Sequence, residues 1–145
     1  IAFIIFATGT PAVLKYLGVE KATEALGAEG FSGIKLLTAF CTSVAMNLIF
    51  APVFMTFHKI TDTHIIWKNG SLKGFFTPIP FRKIFNNLDW DVQWNFVFKK
   101  TIPFFWIPAH TITFILPPHF RVLFAAVLGI VLGVLLAVAS LKSKK

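Results

Sequence analysis

Four histidines, one cysteine and six carboxylates are the side chains through which this chain could do chemistry. Their spacing assembles no reactive set. His58 and His64 stand six residues apart, and His110 and His119 occupy opposite ends of one apolar stretch. Neither pair has metal-ligand spacing, and an isolated Cys41 adds nothing to them. Asp89 and Asp91 are too close in sequence to face each other from one helix. A Gly-rich phosphate loop, G-x-S-x-G and H-E-x-x-H are all missing. Cys41 has no partner for an internal disulfide, so packing is its expected role. These features predict a non-enzyme without metal or cofactor; a membrane-embedded hydrolase built on His110 is the residual catalytic reading.

The polar residues that remain of interest sit in apolar surroundings. Trp106, His110 and Thr113 fall at i, i+4 and i+7, one face of a helix. Polar groups at membrane depth need protein or water partners, so this face should look into a bundle or a cavity. Asn47 is the strongly polar residue deep in another apolar stretch. It either makes a helix-to-helix hydrogen bond or lines a path with His110 and Thr113. Protonation of a path-lining histidine, whose ordinary pKa is near 6.5, would make flux pH-dependent.

The elements that must position these residues are apolar spans. In 145 residues, 56% are hydrophobic and 18 are Phe, and the mean hydropathy is +0.75. That composition predicts an all-α integral membrane protein: a single domain, residues 1–145, folded as a compact bundle of about four transmembrane helices. A hydrocarbon core of roughly 30 Å takes about 20 apolar residues as helix, and spans are expected at about 1–19, 31–57, 101–118 and 122–141. Pro11 should interrupt the first and Pro52 should kink the second. Pro103 and Pro108 should bend the third, which Pro117-Pro118 ends. In the last span Ala125, Gly129, Gly133 and Ala137 recur every fourth residue, a small-residue stripe on which another helix can pack closely. The chain opens on Ile1, without an initiator Met, so targeting signals cannot be read.

The 58–100 connection is too aromatic for an ordinary loop. Asn69-Gly70 and Thr77-Pro78 are turn signals. After Pro80, residues Phe81, Ile84, Phe85 and Leu88 share a face opposite Arg82, Lys83, Asn86 and Asn87, which predicts an amphipathic helix lying in the membrane interface. Asp89 is placed to cap a helix that carries Trp90, Trp94, Val97 and Phe98 on one face and leads toward the third span. A net charge of +8 could serve nucleic acid, but basic residues beside apolar spans point to anionic lipid head groups, with Arg82, Lys83, Lys99, Lys100 and Arg121 as contacts and no nucleic acid. Seven basic residues lie in the 58–100 loop and three in the tail, Lys142, Lys144 and Lys145, ten of the fourteen in the chain. The positive-inside rule then puts loop and tail together on the cytoplasmic or matrix side.

The run Trp106-Ile107-Pro108-Ala109-His110-Thr111-Ile112-Thr113-Phe114, followed by Leu116, Pro118 and Arg121, resembles the C-terminal signature of the Mpv-seventeen family of peroxisomal and inner-mitochondrial membrane proteins. Asn47 followed by Phe50-Ala51-Pro52-Val53-Phe54 is similar to that family's polar pair and Phe-Ala-Pro segment. The likeness covers about residues 31–141. His110 stands where the family usually has Gln and Thr113 where it has Asn, and Arg121 comes one residue early relative to Trp106. The resemblance implies a four-helix membrane bundle in an organellar inner membrane or peroxisome, forming a channel or conduit for small solutes. The alternative is a non-catalytic accessory or structural subunit of a larger membrane complex. Expected partners are membrane lipids, a second copy of the chain or other membrane subunits.

Overall fold

The computed structural model describes the backbone of residues 1–143 and all their side chains except those of Phe75, Leu132, Gly133 and residues 135–143. Helix is the only regular structure among the described residues. The helices pack as two compact units, Ile1–Val44 with Ile107–Lys145, and Ala45–Trp106.

In the first unit α1 (Ala2–Tyr16) carries Pro11 inside it. It ends where the sequence supplies a residue tolerant of positive φ. Gly18, at φ 99°, lets its own N–H reach Lys15 O at 3.0 Å and that of Val19 reach Leu14 O at 2.9 Å, a Schellman closure. The short α2 (Ala22–Ala25) follows and packs on α1. Ser32 caps α3 (Gly33–Ile49) by accepting the Lys35 N–H at 3.1 Å. The unit is completed by α8 (Ile107–Ile115) and α9 (Pro118–Ser143). Phe3 of α1 stacks on the fully buried Phe114 of α8, ring centroids 4.5 Å apart.

In the second unit α4 (Ala51–Trp67) continues from α3 after a break at Phe50. The kink expected at Pro52 therefore falls two residues earlier. Pro52 sits in the first turn of α4, where no N–H is required of it. Helix α4 runs ten residues past the predicted end of the span, through His58, Asp62 and His64. It closes like α1, with Asn69 and Gly70 both at positive φ and the Gly70 N–H on Ile65 O at 2.9 Å. Next come α5 (Leu72–Phe75), α6 (Phe81–Asn86) and α7 (Trp90–Val92). Asp89 accepts the Val92 N–H at 3.0 Å, as a cap should.

From Gln93 to Trp106 the backbone is wound as a π-helix, with Pro103 inside it; i→i+5 winding over this length is rare. The helix runs directly into α8. The chain changes hydrogen-bond register between Trp106 and Ile107. The apolar face expected on α6 exists, but half of it is used internally. Ile84 and Leu88 pack on Ile60 of α4 as a small core, while Phe81 and Phe85 remain about half exposed.

By length and composition, no single helix among the described residues is long and apolar enough to cross a membrane. The pair α3 and α4 together is, with a bend of 47°.

Candidate functional site

Helix α3 buries one face and exposes the other, and the sorting is the reverse of that in a water-soluble helix. Lys35, Thr38, Ala39, Thr42, Ser43, Met46 and Asn47 are each at most 6% exposed. Their spacing alternates three and one, which on a helix is a single stripe. Five of the seven are polar. Meanwhile Leu36, Leu37, Phe40, Leu48 and Ile49 are 42–65% exposed. The seam from Lys35 to Asn47 is about 18 Å long at 1.5 Å per residue.

Each end of this seam in the first unit is tied to backbone carbonyls. The Ser43 hydroxyl donates to Ile107 O at 2.7 Å, joining α3 to the start of α8. At the other end the Lys35 ammonium donates to Ala28 O at 2.6 Å and Gly30 O at 3.2 Å. Between them the Thr38 and Thr42 hydroxyls are wholly buried and have no hydrogen-bond partner. On α8 the Thr111 hydroxyl donates to Ile107 O at 2.7 Å and that of Thr113 to Ala109 O at 2.9 Å. Both thus turn back on their own helix, the usual recourse of threonine within helices.

A second polar junction lies at Arg121. Its Nε donates to Leu116 O at 2.9 Å and a terminal nitrogen donates to Phe114 O at 3.1 Å, both carbonyls at the C-terminal end of α8. The same terminal nitrogen donates to Leu26 O, at the end of α2 and 95 residues away in sequence. Helix C-termini leave carbonyls unpaired and carry partial negative charge. One planar cation therefore satisfies two of them. Desolvation lowers the Arg121 pKa below its ordinary value, yet arginine stays charged in proteins. With Lys35 on Ala28 and Gly30, two cations hold the 26–30 connection. The nearby glutamates Glu20, Glu24 and Glu29 form no ion pair. Among the described residues that contact occurs at His58–Asp62, 3.7 Å apart and exposed.

The expected site residues divide between the units. His110 and Thr113 lie in α8 of the first unit, Thr113 buried and His110 partly so. Asn47, 1% exposed, and the partly buried Trp106 belong to the second. Arg82, Lys83, Lys99 and Lys100 are exposed. Lys99 donates to Asn95 Oδ1 at 3.0 Å, and the Lys83 ammonium lies 5.5 Å from the Trp67 ring centre. Arg121, expected at lipid head groups, is engaged by the three carbonyls. Of the small-residue stripe, Ala125 and Gly129 are exposed, and a Cβ at Gly129 would meet nothing within 4 Å. Gly133, Ala137 and Lys142 carry side chains outside those described, and Lys144 and Lys145 lie outside the described residues altogether. No group of three or more metal-ligating side chains comes together among the described residues.

Sequence reasoning singled out neither Lys35 nor Thr38. The signal was available in the three-four spacing of Lys35, Thr38 and Thr42 and the four-residue step from Ser43 to Asn47. The carbonyls of Leu26, Ala28 and Gly30 carry no side-chain signal at all. Compared with protein-family models, curated proteins and solved structures, the chain matches none.

Proposed function

We propose that this chain is an integral membrane protein that acts as a non-catalytic accessory or structural subunit, its polar residues holding its own helices together and its apolar faces left for lipid and neighbouring subunits. The observation that carries the reading is the reversed sorting on α3, with polar groups inside and large apolar groups outside. In water such a helix would expose its hydrophobic side and bury its polar one, a loss on both counts. In lipid the same sorting is favourable, because association there rests on small residues and hydrogen bonds between helices. Ser43 on Ile107 O and Arg121 on Leu26 O fit that role. A conduit lining is wet, whereas the seam residues are 0–2% exposed apart from Met46 at 6%. The resemblance to the Mpv-seventeen family agrees with a membrane bundle in an organellar inner membrane or peroxisome, with the basic 58–100 segment and tail on the matrix or cytoplasmic side.

A conduit for small solutes is the second reading, favoured by the Thr38 and Thr42 hydroxyls, whose hydrogen-bonding capacity is unmet. Purified protein in liposomes separates the two. The subunit reading expects solute flux and single-channel current no higher than in empty liposomes, and isolation from native membranes in a fixed ratio with other membrane subunits. Flux that Thr42→Val abolishes refutes it in favour of the conduit.

A further inference from the structure

Helix α4, helix α6 and the π-helix of the second unit enclose an open groove of about 430 Å³. Pro52, Val53, Phe57, Phe85, Trp90 and Phe98 supply most of its wall. Its polar side chain, Thr56, turns its hydroxyl back to Pro52 O at 2.8 Å. The groove therefore offers no hydrogen bond to a sugar, nucleotide or peptide, and only an apolar body gains by entering it. The volume lies within the range of about 300–1,000 Å³ typical of small-molecule sites. A flexible hydrocarbon chain can lie along the groove.

The groove does not end in apolar surface. Phe81 is also a wall of an adjoining notch formed with Pro80, Arg82, Lys83 and Asn86. Arg82 is exposed and makes no hydrogen bond or ion pair among the described residues, and Lys83 presents its ammonium beside the Trp67 ring. An apolar trough thus meets a guanidinium, an ammonium and a carboxamide across one phenyl ring. The complementary molecule has a hydrocarbon tail and an anionic head.

We propose that this face of the second unit binds an anionic phospholipid, one acyl chain lying in the groove and the phosphate held at Arg82 and Lys83. Arg82 suits the phosphate because its planar fork matches two oxygens at once, and Lys83 adds a point charge. Asn86 can donate to a third oxygen. The acyl chain covers the groove faces of Trp90 and Phe98, the first of which is 38% exposed. The proposal rests on the membrane reading above, and its test keeps the two apart.

The full chain is reconstituted into nanodiscs in which a fraction of the lipid is phosphatidylglycerol or phosphatidylcholine with brominated acyl chains. Trp90 fluorescence is isolated by subtracting the signal of Trp90→Phe. Brominated phosphatidylglycerol is expected to quench Trp90 at several-fold lower mole fraction than brominated phosphatidylcholine. A basic residue near an anionic surface contributes about a five-fold factor, so Arg82→Gln with Lys83→Gln should erase the several-fold preference. Val53→Phe, at an exposed position on the groove wall, should reduce quenching of Trp90 by both lipids. Inorganic phosphate should not compete, since the tail is part of the ligand. Equal quenching by the two lipids overturns the proposal, as does a preference that survives the double substitution or one that inorganic phosphate abolishes. Trp90 shielded from both lipids but cross-linking to a second copy of the chain assigns the groove to protein and overturns it too. A chain that fails to float with vesicles overturns the membrane reading along with it; one that floats but shows no preference overturns this proposal alone.

Discussion

Replacing Arg121 with glutamine removes a side chain that joins the end of α2 to the end of α8. Three hydrogen bonds are at stake, to Leu116 O at 2.9 Å, to Phe114 O at 3.1 Å and to Leu26 O. Hydrogen bonds to a charged group contribute about 1.5–3 kcal/mol each; because the guanidinium is only partly buried, the low end applies, or about 4–5 kcal/mol for three. A glutamine amide can recover one neutral bond of about 1 kcal/mol. The net loss expected for Arg121→Gln is therefore about 3–4 kcal/mol. For a chain of this size each kcal/mol moves the midpoint by about 2–4 °C, which gives a fall of roughly 6–16 °C. Arg121→Lys keeps the charge but loses the fork, so about half of the loss should return. Thermal unfolding in one detergent, followed by circular dichroism, reads both variants. Hydrogen exchange supplies the local check. The Gly27 and Ala28 amides, both bonded to Glu24 O, should lose protection in Arg121→Gln before the amides of α3 do. A midpoint within 1 °C of the parent, or unchanged protection at Gly27 and Ala28, would refute the clamp.

Three further outcomes follow from single contacts. Ser43→Ala should cost about 1 kcal/mol, the ordinary worth of a hydrogen bond between helices in lipid, while Thr113→Val, whose hydroxyl serves only its own helix, should shift the unfolding midpoint much less in the same assay. Gly74→Ala would set a Cβ 2.5 Å from Lys68 Cβ and 2.7 Å from Ser71 Oγ. A loss of about 1–3 kcal/mol is expected, together with release of the His64 ring from Gly74 O, now 3.2 Å away, visible as a histidine chemical-shift change. Gly129→Leu meets open space within the chain, so the unfolding midpoint of the isolated monomer should hold while any oligomer resolved by light scattering dissociates; a lowered monomer midpoint with unchanged oligomer size would mean that the glycine packs inside the protein.

What could be read from the sequence were features written in one or two residues. Asp89 caps a helix start because its carboxylate meets Val92 N–H, and Asn69-Gly70 ends α4 because both tolerate positive φ. Pro52 announced the break between α3 and α4, and missed it by two residues, because proline fits the first turn of a new helix better than the middle of an old one. The π-winding of Gln93–Trp106 left no such mark. A hydrogen-bond register shift changes no side chain, and the apolar residues of this stretch, Trp94, Phe96, Val97, Phe98, Ile102, Phe104, Phe105 and Trp106, are too many to single out one period. The end of α4 was also hidden, since His58, Asp62 and His64 look like loop residues until His64 is seen buried against Gly74 and Thr77. Arg121 was read as a lipid contact for a similar reason: its acceptors are main-chain carbonyls, and every residue has one.

The seam on α3 shows why counting polar residues in an apolar stretch reveals less than their phase. Thr38, Thr42, Ser43 and Asn47 dilute the hydropathy of Gly33–Ile49, and by average alone they weaken the case for a membrane segment. Placed at three-four spacing they do the opposite, since they collect on the buried stripe and leave Leu36, Leu37, Phe40, Leu48 and Ile49 on the outer one. Five such side chains half exposed to water would forfeit on the order of 1 kcal/mol apiece, a large share of the 5–15 kcal/mol by which folded domains are stable. Set against hydrocarbon the same side chains lose nothing, and the buried Ser43 hydroxyl serves as a helix-to-helix contact through Ile107 O. The pattern is self-consistent in one solvent and wasteful in the other, and it is this sorting along α3, rather than any single residue on it, that supports the proposed membrane setting.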